Sequence, residues 1–357
     1  MIDVLHVISG LGMGGAEAML VRLAAALRAR GLSQHVISLS GQDALVPDLR
    51  AAEIGTTVLK ANSFATSSFA LASLVGTVSR LRPRILQGWM YHGNIAATLC
   101  HYACLGRRRR KLYWNLRASN MDDARYGRTI WLSSLLSGLP DAVIANSEAG
   151  VAFHRARGFR ARRVMVIDNG IDTERFRPGP ARRAQMRAEL GIPAEAVVVI
   201  HVARVDPMKD HATFLAAMKD VPSAVGLMVG EGTLTFRVPP NVRALGRQKD
   251  TAALYAAADI VASSSAFGEG FSNVIAEGMS AGLVPVATDV GDARRIVGDM
   301  GTVVTPDDPA VLAKAIAEIV ALTPAERSAR GTRAREQIVD TFSLQRAVDA
   351  YHALYSN

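Results

Sequence analysis

Cysteine is nearly absent from this chain, with two in 357 residues, spaced Cys100-x3-Cys104. Two cysteines cannot form a disulfide framework, are too few for a structural zinc site and lack the redox C-x-x-C spacing, so a reducing compartment is expected. Any run of 18 or more apolar residues is also missing, which removes a simple membrane-spanning helix. Met1-Ile2-Asp3-Val4-Leu5 has no basic region of the signal-peptide kind and leads straight into a strand pattern, so the expected location is the cytoplasm. The lack of a G-x4-G-K-[ST] motif argues against a P-loop ATPase. No Asp-x-Asp metal site is convincing and Asp122-Asp123 has no evident third ligand, so no metal is expected. Short internal repeats and low-complexity tracts are lacking too.

Apolar residues make up 49% of the chain and charged residues 20%. That composition supports sizeable cores, and the length fits two domains at about 100–200 residues each. The net charge of +9 is unevenly held. Residues 1–180 carry 23 Lys and Arg against 12 Asp and Glu, net +11, and residues 181–357 carry 18 against 20, net −2. Only the first half is therefore suited to an anionic surface or substrate. Its densest run, Arg107-Arg108-Arg109-Arg110-Lys111, reads either as a solvated loop or as an attraction for anionic lipid headgroups or a pyrophosphate-bearing acceptor. Interleaved aromatics and zinc-finger spacing are absent, so nucleic acid is not an expected partner.

The chain opens with an apolar strand at 4–8, a glycine-rich loop, and an amphipathic helix over 16–30 that Gly31 stops. A second strand follows at 35–39. This order predicts a parallel sheet covered by helices. Further strands are expected at 57–59, 85–87, 111–114, 142–144 and 164–167, with a helix over 63–81. Asn169-Gly170-Ile171-Asp172 and Arg177-Pro178-Gly179-Pro180 read as turn and linker. After a helix at 181–190 the alternation restarts at Val197–Ala203, with later strands at 226–230, 242–245, 260–263, 284–288 and 301–304. The unbroken Val and Ile runs suit parallel strands buried on both faces. The expected architecture is thus two doubly wound α/β domains, with a last helix over 344–355 able to pack back on the first.

Three segments carry candidate chemistry. Gly14-Gly15 precedes the first helix, where glycine permits close backbone approach and the helix N-terminus suits an anion. Gly10, Gly12 and Gly15 also fit G-x-G-x-x-G, but the next strand ends Ser38-Leu39-Ser40-Gly41 without the acid that would hold a dinucleotide ribose. A purely structural tight turn is the remaining alternative. Strand 197–203 runs into Arg204-Val205-Asp206-Pro207-Met208-Lys209-Asp210. Ligands of open α/β sheets bind beyond the carboxyl ends of strands, so Arg204 and Lys209 can share one anion. Surface ion pairs with Asp206 or Asp210 are the competing arrangement. In Phe267-Gly268-Glu269-Gly270-Phe271-Ser272-Asn273-Val274-Ile275-Ala276-Glu277 a helix is expected from about Ser272. Glu269 then lies in the loop and Glu277 in the helix. Backbone N–H groups of Gly270, Phe271, Ser272, Asn273 and Val274 can hold a phosphate, unless Ser272 merely caps the helix and both glutamates are solvated.

Taken together these motifs resemble the family 4 (GT4) retaining glycosyltransferases of the GT-B fold, in which two Rossmann-like domains face an interdomain cleft. The resemblance rests on Gly14-Gly15-Ala16-Glu17, on Asn169-Gly170-Ile171-Asp172 with Phe176 and Pro178, on Arg204 with Lys209, and on the E-x7-E pair Glu269 and Glu277. It spans nearly the whole chain and is closest to enzymes of bacterial surface polysaccharides. Two details depart from the family pattern: Gly278 after Glu277, and an extra residue in Leu283-Val284-Pro285-Val286.

The resemblance implies an acceptor-binding domain over 1–175, a donor-binding domain over 176–340 and a C-terminal helix over 341–357. It implies a nucleotide-sugar donor, UDP-linked rather than GDP-linked, and no further cofactor. Glu269 would face the transferred sugar and Glu277 the ribose. Arg204 and Lys209 would neutralise the diphosphate, with Gly14 and Gly15 approaching from the first domain and the base near Leu245, Gly246 and Arg247. His92 would stand near the reacting sugar, with a structural or merely exposed histidine as its alternative. Trp89, Tyr91 and Arg117 would line the acceptor side, the first two from an exposed stretch. The basic first half and the exposed-looking Trp89-Met90-Tyr91 stretch suggest a lipid-linked saccharide acceptor, for instance on a polyprenyl diphosphate, reached at the inner face of a membrane by a peripheral protein, with soluble acceptors as the alternative. Rival classes are a nucleotide-sugar epimerase or hydrolase on a similar fold, and a non-enzymatic nucleotide-binding protein.

Overall fold

The computed structural model describes residues 1–12, 14–60, 64–105, 110–117 and 123–356. Met13, Ser63, Arg107, Arg108, Arg109 and Asp122, which entered the expectations above, lie outside the described residues. The chain divides into two compact units, Met1–Gly170 with Gln345–Asn357, and Ile171–Leu344. The breaks fall after 170 rather than 175 and after 344 rather than 340. Backbone pairing explains the shift. Ile171 donates its N–H to Phe342 O at 2.9 Å and accepts from Leu344 N at 2.8 Å, which draws the expected linker into the second unit as paired chain. Ile171 and Phe176 are both buried in that unit's core.

In the first unit the strands are β1 (Val4–Ile8), β2 (Gln34–Ser38), β3 (Gly55–Val58), β4 (Ile85–Trp89), β5 (Lys111–Leu116), β6 (Ala142–Ala145) and β7 (Val164–Val166). They form one parallel sheet in the order β3-β2-β1-β4-β5-β6-β7. The crossovers are α1 (Gly15–Ala29), α2 (Val46–Ala51), α3 (Phe64–Leu81), α4 (Met90–Ala103), α5 (Asp123–Leu136) and α6 (Glu148–Ala156). Residues of β1 and β4 are buried throughout, as central parallel strands covered on both faces must be.

The second unit holds helices α7 (Pro180–Glu189), α8 (His211–Lys219), α9 (Thr251–Ala257), α10 (Asn273–Ser280), α11 (Ala293–Val297), α12 (Pro309–Val320) and α13 (Pro324–Phe342). Its strands are β8 (Val197–Val202), β9 (Ala224–Val229), β10 (Val242–Gly246), β11 (Ile260–Ser263), β12 (Val284–Thr288) and β13 (Thr302–Val304). They form a parallel sheet ordered β10-β9-β8-β11-β12-β13. The order reverses between β8 and β11, and such a switch point leaves a crevice at the carboxyl ends of those two strands.

The last helix, α14 (Leu344–Ser356), belongs with the first unit from Gln345 onward. Its buried phenols satisfy polar groups of the first sheet. Tyr351 Oη accepts from Asn115 Nδ2 at 2.6 Å and from Arg117 Nη2 at 2.7 Å, and Tyr355 donates to Gln87 Oε1. Among the described residues no helix is long and apolar enough to cross a membrane. Cys100 and Cys104 are buried free thiols with sulfurs 3.7 Å apart. Arg110 is also buried and donates to His101 O at 3.3 Å, so this member of the basic run is not a solvated side chain.

Candidate active site

The site is built at the switch point of the second sheet. Beyond β8 the chain passes Gly230, whose φ of 149° and lack of a side chain are both required: a Cβ there would lie 1.8 Å from Ala203 O. The loop is then pinned by two acids. Asp206 caps the 3-10 turn Pro207–Lys209 by accepting from Met208 N at 3.0 Å. Asp210, in the left-handed region at φ 42°, caps α8 by accepting from Thr213 N at 3.1 Å. Arg204 pairs with Asp206 at 3.1 Å, the competing arrangement foreseen from sequence, and its side chain is 68% exposed. So exposed a pair contributes about 0–1 kcal/mol, too little to prevent exchange for a stronger anion.

Lys209 does something the spacing does not announce. Its Nζ donates to Glu269 Oε1, which also accepts from Ser265 Oγ at 2.8 Å. Two serines directly after β11 make this possible. Ser264 Oγ lies within hydrogen-bonding distance of both Lys209 O (3.0 Å) and Asp210 O (2.8 Å), and Ala266 donates its N–H to Met208 O at 2.9 Å. Thr288 Oγ1 fastens Ser265 O from β12 at 2.6 Å. The loop after β8 and the loop after β11 are therefore stitched together. The Glu269–Gly270 peptide is fixed from its other side: Asp292 N donates to Gly270 O at 3.0 Å, and Gly291 sits so close that a Cβ would lie 2.4 Å from Glu269 O.

Helix α10 begins at Asn273, one residue after the expected start. Ser272 occupies the N-cap position with no side-chain capping bond, which removes the simple capping reading. The start of an α-helix turns its first backbone N–H groups and the positive end of its dipole outward, which suits an anion. Phe271 is a correction in part. Its side chain is buried in the core, 5.3 Å centroid to centroid from Phe342, so only its backbone can meet a ligand. Glu277 is half-buried, and Tyr255 Oη donates to its Oε2 at 3.4 Å. Burial, and then the neighbouring Glu277, hold the Tyr255 phenol well above its ordinary pKa. Gly246, at φ 65°, accepts from Gly230 N at 2.8 Å, which brings Leu245, Gly246 and the exposed Arg247 beside the start of the Arg204 loop.

In the first unit Gly14 is the extended N-cap of α1, and Gly15, its first residue, is exposed. His92 is exposed in the first turn of α4, where the surrounding protein still draws its pKa below the ordinary imidazole value. The expectation that Trp89 and Tyr91 form an exposed acceptor surface is overturned. Trp89 is fully buried and donates Nε1–H to His6 Nδ1 at 3.1 Å. Tyr91 is 3% exposed and meets His154 Nε2 at 2.9 Å. Because His154 Nδ1 faces Gly150 O at 2.6 Å, that nitrogen carries the proton and Tyr91 is the donor. Burial lowers both imidazoles to a pKa of about 4. Arg117 is likewise buried, with its guanidinium 4.9 Å from the Trp89 ring centre and its nitrogens on Asn169 Oδ1 and Tyr351 Oη. These three side chains brace the first unit through partners far away in sequence: His6 for Trp89, His154 for Tyr91 and Tyr351 for Arg117.

Sequence reasoning missed Ser264, Ser265, Tyr255, Gly291 and Asp292. The serine run offered a signal, since polar residues directly after a buried parallel strand fall where ligands bind. Among the described residues there is no group of three or more His, Cys, Asp or Glu placed to hold a metal ion.

Two family profiles match the chain, Glycosyltransferase Family 4 over residues 13–175 and Glycosyl transferases group 1 over residues 196–321. Between them the two profiles, both of glycosyltransferases, take in most of the chain, and each of its units is a Rossmann-like half of the GT-B fold. Among its relatives is the D-inositol 3-phosphate glycosyltransferase of Mycobacterium tuberculosis, 32% identical over 211 residues, which are 54% of this chain and 43% of that protein. The chain thus spans under half the length of the curated relatives it matches. The crystal structure of Anabaena HepE in complex with UDP-glucose has a TM-score of 0.86 at 22% identity, covering 99% of this chain and 100% of that one. WaaG, a glycosyltransferase involved in lipopolysaccharide biosynthesis, has a TM-score of 0.72 at 16% identity, covering 99% of this chain and all of the other. At these identities the two structures establish the fold.

Proposed function

We propose that the protein transfers a hexose or N-acetylhexosamine from a nucleoside-diphosphate sugar to a saccharide acceptor, with retention at the anomeric carbon. The observation that carries this reading is the junction of Lys209 with Glu269 at the switch point of the second sheet. A cation, a carboxylate and a helix start suit three parts of one donor: diphosphate, sugar hydroxyls and a phosphate oxygen. HepE was crystallised with UDP-glucose, which supports a UDP-linked donor.

As the bond from the anomeric carbon to the phosphate oxygen breaks, negative charge grows on the departing diphosphate. Lys209 and Arg204 meet that charge, and stabilisation that strengthens in the transition state is what accelerates the step. The acceptor oxygen bonds to the anomeric carbon on the same face, and its proton passes to the leaving phosphate oxygen. Glu269 acts by positioning. Its Oε1 is committed to an ammonium and a hydroxyl, which favours holding the sugar over attacking it.

An acceptor carried on a lipid, such as a polyprenyl diphosphate, is supported by the net +11 of residues 1–180. It is also supported by the exposed apolar side chains Leu99 and Tyr102 of α4 and Trp131 and Leu135 of α5, helices that pack against each other. Lipopolysaccharide synthesis by WaaG points the same way. The protein then works as a peripheral protein on the cytoplasmic face, in polysaccharide or glycolipid synthesis. The test is mass spectrometry of products from a mixed panel of UDP- and GDP-sugars with lipid-linked and soluble saccharides, followed by assignment of the new anomeric centre. Acceptor-independent hydrolysis or epimerisation as the main activity would sink the transferase reading; binding without turnover would favour a nucleotide-binding protein.

A further inference from the structure

The second unit has a cavity of about 530 Å³ at the edge of its sheet opposite the Lys209–Glu269 junction. Ala196, Asp259 and Leu283 line it, and each directly precedes the first residue of β8, β11 or β12. The remaining wall comes from the start of α7, the end of α9, the turn after α10 and α13. Its volume lies within the range of small-molecule sites.

Four arginines give the cavity its chemistry. Arg183 and Arg187 grip the two oxygens of Asp259 at 2.7 and 2.8 Å. Arg335 Nη1 donates to Thr173 O, Phe176 O and Ser280 O, and Arg327 Nη1 donates to Val320 O and Leu322 O at the end of α12. Carbonyl contacts hold a guanidinium in place but leave its charge intact. For Arg327 and Arg335, Nη2 has no hydrogen-bond partner among the described residues. Arg183, Arg327 and Arg335 line the cavity, with Arg187 behind Asp259. Against these four cations stand Asp259 and the exposed Glu195, leaving a surplus of two positive charges in the half of the chain that is otherwise acidic. Glu174 also acts on Arg335, but it pairs with Arg177 at 3.7 Å. Between the arginines the wall is mostly small and apolar, prolines, alanines and glycines, with the hydroxyls of Ser328 and Thr332 on the α13 side.

We propose that this cavity is a second ligand site, separate from that of the donor, which takes a phosphate monoester with a compact uncharged body. A planar guanidinium fork matches phosphate oxygens in pairs, a dianion matches the surplus charge, and the prolines and alanines accept the ester's carbon part. The site abuts the turn that ends α10 at Ala281–Leu283, so its occupant rests against the far end of the helix that carries Glu277.

Phenyl phosphate is a suitable probe, titrated calorimetrically into the wild type and into Thr332→Glu, Arg327→Gln and Lys209→Ala. Thr332 is exposed on the cavity wall one turn before Arg335, so a glutamate there supplies a competing anion without disturbing packing. The expected result is one-site binding that weakens at least about tenfold in Thr332→Glu and in folded Arg327→Gln, and persists in Lys209→Ala. Circular dichroism establishes that each variant is folded. Absence of binding at about 10 mM overturns the proposal. So does binding that disappears in Lys209→Ala yet survives in Thr332→Glu, since the probe would then occupy the donor site.

Discussion

Lys209 Nζ donates to Glu269 Oε1, and Ser265 Oγ donates to the same oxygen, so a cation from the loop after β8 and a carboxylate from the loop after β11 form one unit across 60 residues of sequence. Both are largely shielded, with side chains 24% and 13% exposed. Neither can be removed without altering its partner's setting.

Lys209→Ala should therefore lower kcat/KM by about 10–150-fold, the equivalent of one charge-assisted contact of about 1.5–3 kcal/mol. Glu269→Gln keeps the shape but loses the charge, and should impair turnover more than nucleotide binding. Steady-state kinetics together with UDP titration separate the two effects. Full turnover by Lys209→Ala would remove its proposed role, and a covalent sugar trapped on Glu269 would replace positioning with nucleophilic attack.

Gly291→Ala should damage the same site from behind. The residue has φ 65°, and its new methyl would strike Glu269 O and Gly270 O. Left-handed strain alone costs about 1–3 kcal/mol, and relief of the clash must displace the Glu269–Gly270 peptide. Urea unfolding should show the lost stability, and the surviving folded fraction should bind nucleotide sugar more weakly than the wild type.

Acid should destabilise the protein through buried neutral histidines. His6 and His154 fall to about 4, and His201 to about 3, against an ordinary 6.5, in each case chiefly because burial penalises the charged ring. Unfolded, these rings take up protons from about pH 6.5 downward, whereas folded they resist until about pH 4 or 3. Their stabilisation is present above pH 6.5 and is lost as pH falls toward 4. Urea midpoints measured at pH 7.5, 6 and 5 should decline in that order. Replacement of His154 by Gln should flatten the decline, and an unchanged slope would remove this residue from the account.

Vesicle binding tests the membrane reading. Attachment to anionic vesicles should weaken as salt rises, since exposed charges are screened beyond about 8–10 Å near physiological ionic strength. Trp131→Ser with Leu135→Ser should weaken it further without changing fold, because both side chains are more than half exposed. Equal retention on neutral and anionic vesicles would argue against an electrostatic contribution.

The sequence made β11 and β12 legible to the residue, because short Val- and Ile-rich runs between turns are what a strand buried on both faces requires. It also placed Arg204 and Lys209 beyond the carboxyl end of β8, through the rule that ligands gather there, while the helix start near Ser272 and the family resemblance supplied Glu269 and Glu277. It could not reveal that Lys209 meets Glu269, since that contact depends on Ser264 and Ser265 joining two loops that are distant in the chain. Nor could it show that Trp89 and Arg117 are buried. The Tyr351 hydroxyl that receives Arg117 is 234 residues away, and no local periodicity encodes a partner at that distance.

The placement of α14 has a consequence for biosynthesis. When a nascent chain has passed Gly170, the first sheet already contains Gln87 and Asn115, with Arg117 directly after β5, but the phenols of Tyr351 and Tyr355 that bond to them have not been made. The whole second unit must be translated before those hydroxyls arrive. Until then the earlier-made half holds buried polar groups without their final partners, a state prone to proteolysis and chaperone capture.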